Sequence, residues 1–188
     1  MFADIVKKNR SYRRFYEDVV ISKEELTELI GLARLVPSGA NGQVLKYFIS
    51  NEPKLNSKIF ETLGWAGYLK DWDGPAEGER PSAYIIMVSD LALGKDRKHD
   101  EGIAAQTIML GAVEKGYGGC MLGNVNRDKL ATNIGLDTEK YRIELVLALG
   151  KPKEEVVIEA FSGDIKYYRD ENRVHHVPKR ALEDLIIN

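Results

Sequence analysis

A chain of 188 residues, 44% hydrophobic and 30% charged, has the length and apolar content for one domain with a substantial core, so disorder is not the expectation. Its formal net charge of -2 lacks the general phosphate attraction on which nucleic-acid binders rely, which argues against a polyanionic partner. The one cysteine, Cys120, rules out an internal disulfide and any multi-thiolate metal or iron–sulfur site, and fits a reducing, cytoplasmic compartment.

Residues 2–9 can open the chain as a short helix. Arg10-Ser11-Tyr12-Arg13-Arg14-Phe15 then places three guanidinium groups and a hydroxyl within five residues. Such a set suits a phosphate dianion, because Arg stays charged and presents a planar fork of donors; the same run also serves as plain solvated surface charge. Ser22 and Glu25 read as a capping box, and Leu26, Leu29, Ile30 and Ala33 follow at helical spacing, so a helix is expected to end before Pro37. Next comes Pro37-Ser38-Gly39-Ala40-Asn41-Gly42-Gln43. Asn41 and Gln43 each offer a donor and an acceptor, which matches the edge of a flat heterocycle with alternating C=O and N–H groups, although these are also common turn residues. The two runs flank one helix of roughly two to four turns and are expected to meet at one end of the sheet. A phosphate at one end and a hydrogen-bonding ring at the other describe a mononucleotide or a flavin.

Leu45–Ser50 reads as a strand, with Asn51 as cap and Pro53 as first turn of another helix. Residues 64–81 hold both Trp and several Gly, and form an irregular lid or surface loop. Ala83–Val88 is apolar throughout, as in a buried strand. From about Asp100 to Lys115 apolar residues occupy nearly every helical face, predicting a central helix buried all round. Gly116-Tyr117-Gly118-Gly119 stops it, and Cys120–Val125 continues as a strand. These glycines follow a helix and precede a strand, the reverse of the dinucleotide fingerprint; they let the backbone pass close to a flat ligand, or form a helix stop and turn. No base is marked for Cys120, so it reads as a buried structural residue rather than a nucleophile. Asn126 caps a helix through Ile134, Gly135 closes it, and Arg142–Leu149 is another strand.

After Gly150 the chain is polar until Lys179–Ile187, where Leu182, Leu185 and Ile186 predict a terminal helix with Lys179-Arg180 at its head. The elements are mixed α and β, with helices dominating. His99 is expected exposed near a helix start. Adjacent His175 and His176 make a poor chelate, and Asp71-Trp72-Asp73-Gly74 lacks the rest of a calcium loop, so no metal is expected. There is no apolar run long enough for a membrane span and no charged-then-apolar leader. Without a G-x-S-x-G, Walker loop or triad, the natural carrier of any chemistry is a bound redox cofactor.

Taken together, these motifs resemble the nitroreductase family of FMN-dependent oxidoreductases. The resemblance rests on Arg10-Ser11-x-Arg13-x-Phe15, the Pro37–Gln43 loop, the Glu101–Gly123 stretch, Leu147-Ala148-Leu149-Gly150-Lys151-Pro152 and Val177-Pro178-Lys179-Arg180-Ala181-Leu182-Glu183, in that order. It implies an α/β (α+β) fold, a mainly antiparallel sheet sandwiched by helices with a long buried central helix, in a single FMN-binding domain over 1–188. It implies that Arg10, Ser11 and Arg13 contact the phosphate, ribityl chain or pyrimidine edge, and that Pro37, Ser38, Gly39, Asn41 and Gln43 line the flavin, partly that of the other subunit of a homodimer. Cys120, Met121, Leu122 and Gly123 would pass over the isoalloxazine ring, and Lys179 and Arg180, or His176 in place of Arg180, would complete the phosphate site. NAD(P)H is the implied co-substrate and a small electron-poor molecule the acceptor. Gln43-Val44-Leu45 stands where family members often carry Gln-Pro-Trp, and Asn9 where a basic residue is common.

Overall fold

The computed structural model describes residues 1–94 and 99–187. In chain order it has α1 (Phe2–Lys8), β1 (Phe15–Tyr16), α2 (Lys23–Ala33), β2 (Leu45–Ser50), α3 (Pro53–Phe60), β3 (Ala83–Asp90), α4 (Asp100–Glu114), β4 (Gly118–Leu122), α5 (Arg127–Ile134), β5 (Tyr141–Pro152), β6 (Val156–Ala160), β7 (Tyr168–Arg169) and β8 (His175–Lys179). Short 3-10 turns lie at Gly39–Asn41, Leu91–Leu93 and Glu183–Leu185.

The main sheet is antiparallel and runs β1-β5-β3-β2, with β4 also on β5. β5 is long enough to serve three neighbours. Tyr141–Leu149 pairs with β3, Val146–Gly150 with β4, and the final Lys151 and Pro152 with β1. Strand alternation splits the apolar residues between two cores. Ile85, Met87, Leu147 and Leu149 face Leu26 and Leu29 of α2 and Ala105, Ile108 and Met109 of α4. Tyr84, Ile86, Val146 and Ala148 face Ile59 of α3 and Leu130 and Ala131 of α5. Because both faces are covered, β3 is buried from Ala83 to Ser89, as its unbroken apolar run predicts.

Local signals act as expected at several ends. Ser22 Oγ accepts from the Glu25 N–H at 3.1 Å while Glu25 accepts from the Ser22 N–H at 2.9 Å, and Asn126 accepts from the Lys129 N–H at 3.1 Å. Gly135 ends α5 with φ of +66°, a conformation open to glycine at no steric cost. His99 is exposed at the start of α4.

Four expectations are corrected. Asn51 does not cap α3: its side chain donates to the Ile21 carbonyl at 3.1 Å, and Glu52 takes the cap position. α4 is not buried all round, since Ile103 is 41% exposed and Leu110 and Val113 are half-buried. Helices do not dominate, because a second, three-stranded sheet β6-β8-β7 occupies the polar stretch beyond Gly150. Among the described residues the terminal helix is absent: Lys179 ends β8, pairing with Ala160 of β6, and only the Glu183–Leu185 turn follows. Leu182, Leu185 and Ile186 stay largely exposed, and so short a helix needs a buried face to persist. Segment 64–81 is irregular, with Trp65 buried beside Phe60 at 5.7 Å. Among the described residues no helix is long and apolar enough to cross a membrane.

Candidate functional site

The Arg run leaves α1 along β4. Ser11 bridges Gly119, and the Tyr12 N–H donates to the Gly119 carbonyl at 2.9 Å. That close approach explains Gly118, where a Cβ would lie 2.6 Å from the Tyr12 ring, whereas one on Gly119 would lie 2.2 Å from the carbonyl of Ala148 on the paired strand β5. Both positions are glycine because protein backbone and ring already occupy the space.

Extended backbone sends Arg13 and Arg14 to opposite sides. Arg14 is committed to a fork–fork pair with Glu79 at 2.6 and 2.7 Å, and this contact, with Lys153, holds the Glu79 carboxyl down at about 2. It therefore does not join the phosphate donors. Arg13 turns into a cavity of about 240 Å3 lined by Arg10, Ser11, Tyr167, His175 and Lys179. Its own N–H donates to Glu154 at 2.8 Å, its Nη1 donates to the Ser11 carbonyl at 3.2 Å and lies 3.2 Å from His175 Nε2, and its guanidinium sits 4.8 Å over the Tyr167 ring. Glu154 in turn takes both Arg169 nitrogens, so it fixes the backbone without neutralising the Arg13 side chain.

His175 is 1% exposed. Burial first, then the charges of Arg13, Arg169 and His176, lower its pKa to about 4, so the ring is neutral at pH 7. A guanidinium only donates, so the nitrogen facing Arg13 must accept and the proton sits on Nδ1. Among the described residues, that Nδ1, Arg10 Nε and Arg13 Nε are all buried without a partner. Three unmet nitrogens, two on unneutralised guanidinium groups, beside Ser11 and Lys179 fit a phosphate dianion.

β8 explains which basic residue joins this set. Its alternation places His175, Val177 and Lys179 on the cavity wall and sends their neighbours elsewhere: Arg180 lies 4.7 Å over the Phe161 ring, and His176 sits between Glu159 and Asp170 at 3.2 and 3.4 Å. Sequence reading missed His175, Tyr167 and Glu154. The signal for His175 was the period-2 spacing 175, 177, 179, visible only once this stretch is recognised as a strand.

The Pro37–Gln43 loop lies apart. Pro37, Ser38 and Gln43 line a second, mainly apolar cavity of about 490 Å3 with Tyr47 and Asp100. Ser38 Oγ accepts from the Gln43 N–H at 3.2 Å, Gln43 Nε2 donates to the Asn41 carbonyl at 3.4 Å, and the Gly39 N–H donates to Asp100 at 2.9 Å. Ala40, Asn41 and Gln43 hold φ of +50°, +54° and +48°, a strained conformation for side chains with a Cβ. Gly39, Asn41 and Gln43 are exposed. Among the described residues, this cavity and the one holding Arg13 share no lining residue, so the loop and the Arg run line different cavities.

Cys120 and Leu122 face the α3 and α5 core, Met121 is half-buried on the other side, and Gly123 is exposed. Burial pushes the Cys120 thiol up against the opposing Arg13 charge, which keeps it a thiol and fits a structural role.

The sequence model of the nitroreductase family matches residues 90–151. YdgI of Bacillus subtilis (strain 168), whose name assigns it provisionally to the NAD(P)H nitroreductases, is 25% identical over 187 residues, spanning 82% of this chain and 90% of that protein. A nitroreductase family protein from Clostridium novyi NT superposes with a TM-score of 0.66 at 23% identity, over 81% of this chain and 87% of that one. A protein from Exiguobacterium sibiricum 255-15, described provisionally as a nitroreductase and solved in complex with FMN, gives 0.68 at 22% identity, over 82% and 89%. The chain thus resembles the nitroreductase family in sequence and has the fold of its solved structures.

Proposed function

We propose that this chain is an FMN-dependent oxidoreductase that passes electrons from NAD(P)H to an electron-poor acceptor such as a nitroaromatic or quinone. The observation that carries the reading is the cavity lined by Arg10, Ser11, Arg13, His175 and Lys179, three of whose nitrogens, Arg10 Nε, Arg13 Nε and His175 Nδ1, are buried without a partner among the described residues. Bound FMN would supply the hydride chemistry, which accounts for the lack of an acyl- or phosphoryl-transfer motif.

In this reading Arg10, Arg13, Ser11 and Lys179 hold the phosphate and Tyr167 walls it. His175 keeps the Arg13 fork aimed into the cavity and presents Nδ1–H. Strand β4 with Gly123 forms the backbone wall, since Ser11 is bridged directly to Gly119. The separate Pro37–Gln43 loop serves the site of a second protomer, with Asn41 and Gln43 outward. Support for such a homodimer comes from the exposed apolar residues Phe2 and Val6 on α1, Leu32 on α2, Leu35 just past its end and Ile103 on α4. In this reading the protein works in the cytoplasm, in keeping with the free thiol of Cys120.

Purified protein should be yellow, its visible flavin bands should bleach on adding NAD(P)H under anaerobic conditions, and a nitroaromatic or quinone should restore them. Colourless protein that FMN neither binds nor stabilises thermally ends the reading. FMN that binds but is not reduced leaves a binding module rather than an enzyme.

A further inference from the structure

Arg80 and Ser82 lie in the bend that leads into β3, and Tyr84 is the second residue of that strand. The three line a small cavity of about 100 Å3 whose opposite wall is the first turn of α3, at Pro53, Asn56 and Ser57. It shares no lining residue with the two cavities described above. Among the described residues, Arg80 Nε, Ser82 Oγ and Tyr84 Oη of these lining residues are buried without a hydrogen-bond partner, and Ser82 and Tyr84 are only 7% and 0% exposed.

The other polar groups on the wall are already engaged. Glu17 accepts from the Gly78 and Arg80 backbone N–H groups at 2.6 and 3.1 Å. Asn56 accepts from Ser50 Oγ and donates to the Ser82 carbonyl, Asn51 donates to the Ile21 carbonyl, and Ser57 Oγ donates to the Pro53 carbonyl. What remains unmet is a donor set. The guanidinium of Arg80, stacked 4.4 Å over Phe60, can only donate. Burial raises the pKa of Tyr84, which keeps its hydroxyl protonated, and Ser82 can donate to the same acceptor. α3 has no side-chain cap at its N-terminus, so the positive end of its dipole also faces this region. Unmet buried donors are destabilising, and an acceptor with several oxygens would satisfy all three at once.

We propose that this cavity binds a compact oxyanion, a carboxylate, nitrate or phosphate group, through Arg80, Ser82 and Tyr84. The site is independent of the FMN reading. The test follows the melting temperature of FMN-saturated protein, in which the Arg10/Arg13 cavity is filled, as sodium acetate, nitrate or phosphate replaces chloride at constant ionic strength. A saturable rise is expected with at least one anion, and the anion preferred identifies the class. Ser82→Ala with Tyr84→Phe should weaken its apparent affinity at least tenfold, while Arg13→Ala retains it. If the double variant does not fold, Ser82→Ala alone carries the comparison. If the chain takes up no FMN, the titration is made on Arg13→Ala protein, which keeps this result separate from failure of the proposed function. An equal response in wild type and hydroxyl-deleted protein, or no response to any of the three anions, as when water alone fills the cavity, overturns the proposal.

Discussion

Replacing Arg13 by Ala separates binding from folding more cleanly than any other change in the chain. Arg13 is 8% exposed in the folded protein, but the partners of its guanidinium are a carbonyl, a neutral imidazole and a tyrosine ring, with no carboxylate among the described residues to neutralise it. The bond from its backbone N–H to Glu154 survives the substitution. Removing a desolvated, unneutralised charge relieves a cost that offsets the lost packing, so without ligand the stability should change by no more than about 1 kcal/mol. A charge-assisted contact to phosphate contributes about 1.5 to 3 kcal/mol, so FMN affinity should fall roughly 10- to 150-fold. Arg13→Lys keeps the charge but loses the planar fork and the reach to His175, and should fall between the two. FMN affinity is read by quenching of flavin fluorescence and stability by urea unfolding of the FMN-free protein. The reasoning fails if Arg13→Ala binds FMN within threefold of wild type, or if its main effect is on unfolding without ligand.

The remaining expectations concern stability. The ordinary pKa of histidine is 6.5, and His175 is held at about 4. The unfolded chain therefore protonates first: stability is full above pH 6.5 and is lost as pH falls from 6.5 towards 4, by up to about 3 kcal/mol. Urea midpoints at pH 7 and pH 5 should show this loss, His175→Gln should flatten it, and bound FMN should reduce it, because a phosphate dianion favours the imidazolium. Glu79, lowered to about 2 from 4.5, contributes stability that is present above pH 4.5 and lost as pH falls from 4.5 through 2. Glu79→Gln leaves Arg14, 11% exposed, without its counter-charge and should cost about 3 kcal/mol in urea unfolding at pH 7. In Gly119→Ala the new Cβ would lie 2.2 Å from the Ala148 carbonyl. That clash is with backbone inside the β4–β5 ladder, so a loss of about 3 kcal/mol or more, or insoluble protein, is expected; a melting temperature unchanged from wild type would remove this account of the glycine.

What the sequence determined by itself was local. The capping box at Ser22 and Glu25, the Asn126 cap, the Gly135 stop and the unbroken apolar run of β3 each depend on neighbours a few positions away, and each took the expected form. The Arg run was readable as a set of donors for the same reason. Which donors share a cavity was decided by tertiary pairing. β8 exists because β6 and β7 pair with it, so its alternation selects His175 and Lys179 over His176 and Arg180, and no helical periodicity beyond Lys179 reveals that. Arg14 was lost from the donor set to Glu79, 65 positions away, a partner no local pattern marks. The Pro37–Gln43 loop and the Arg run likewise line different cavities, because chain proximity about one helix does not fix which end of the sheet a side chain reaches.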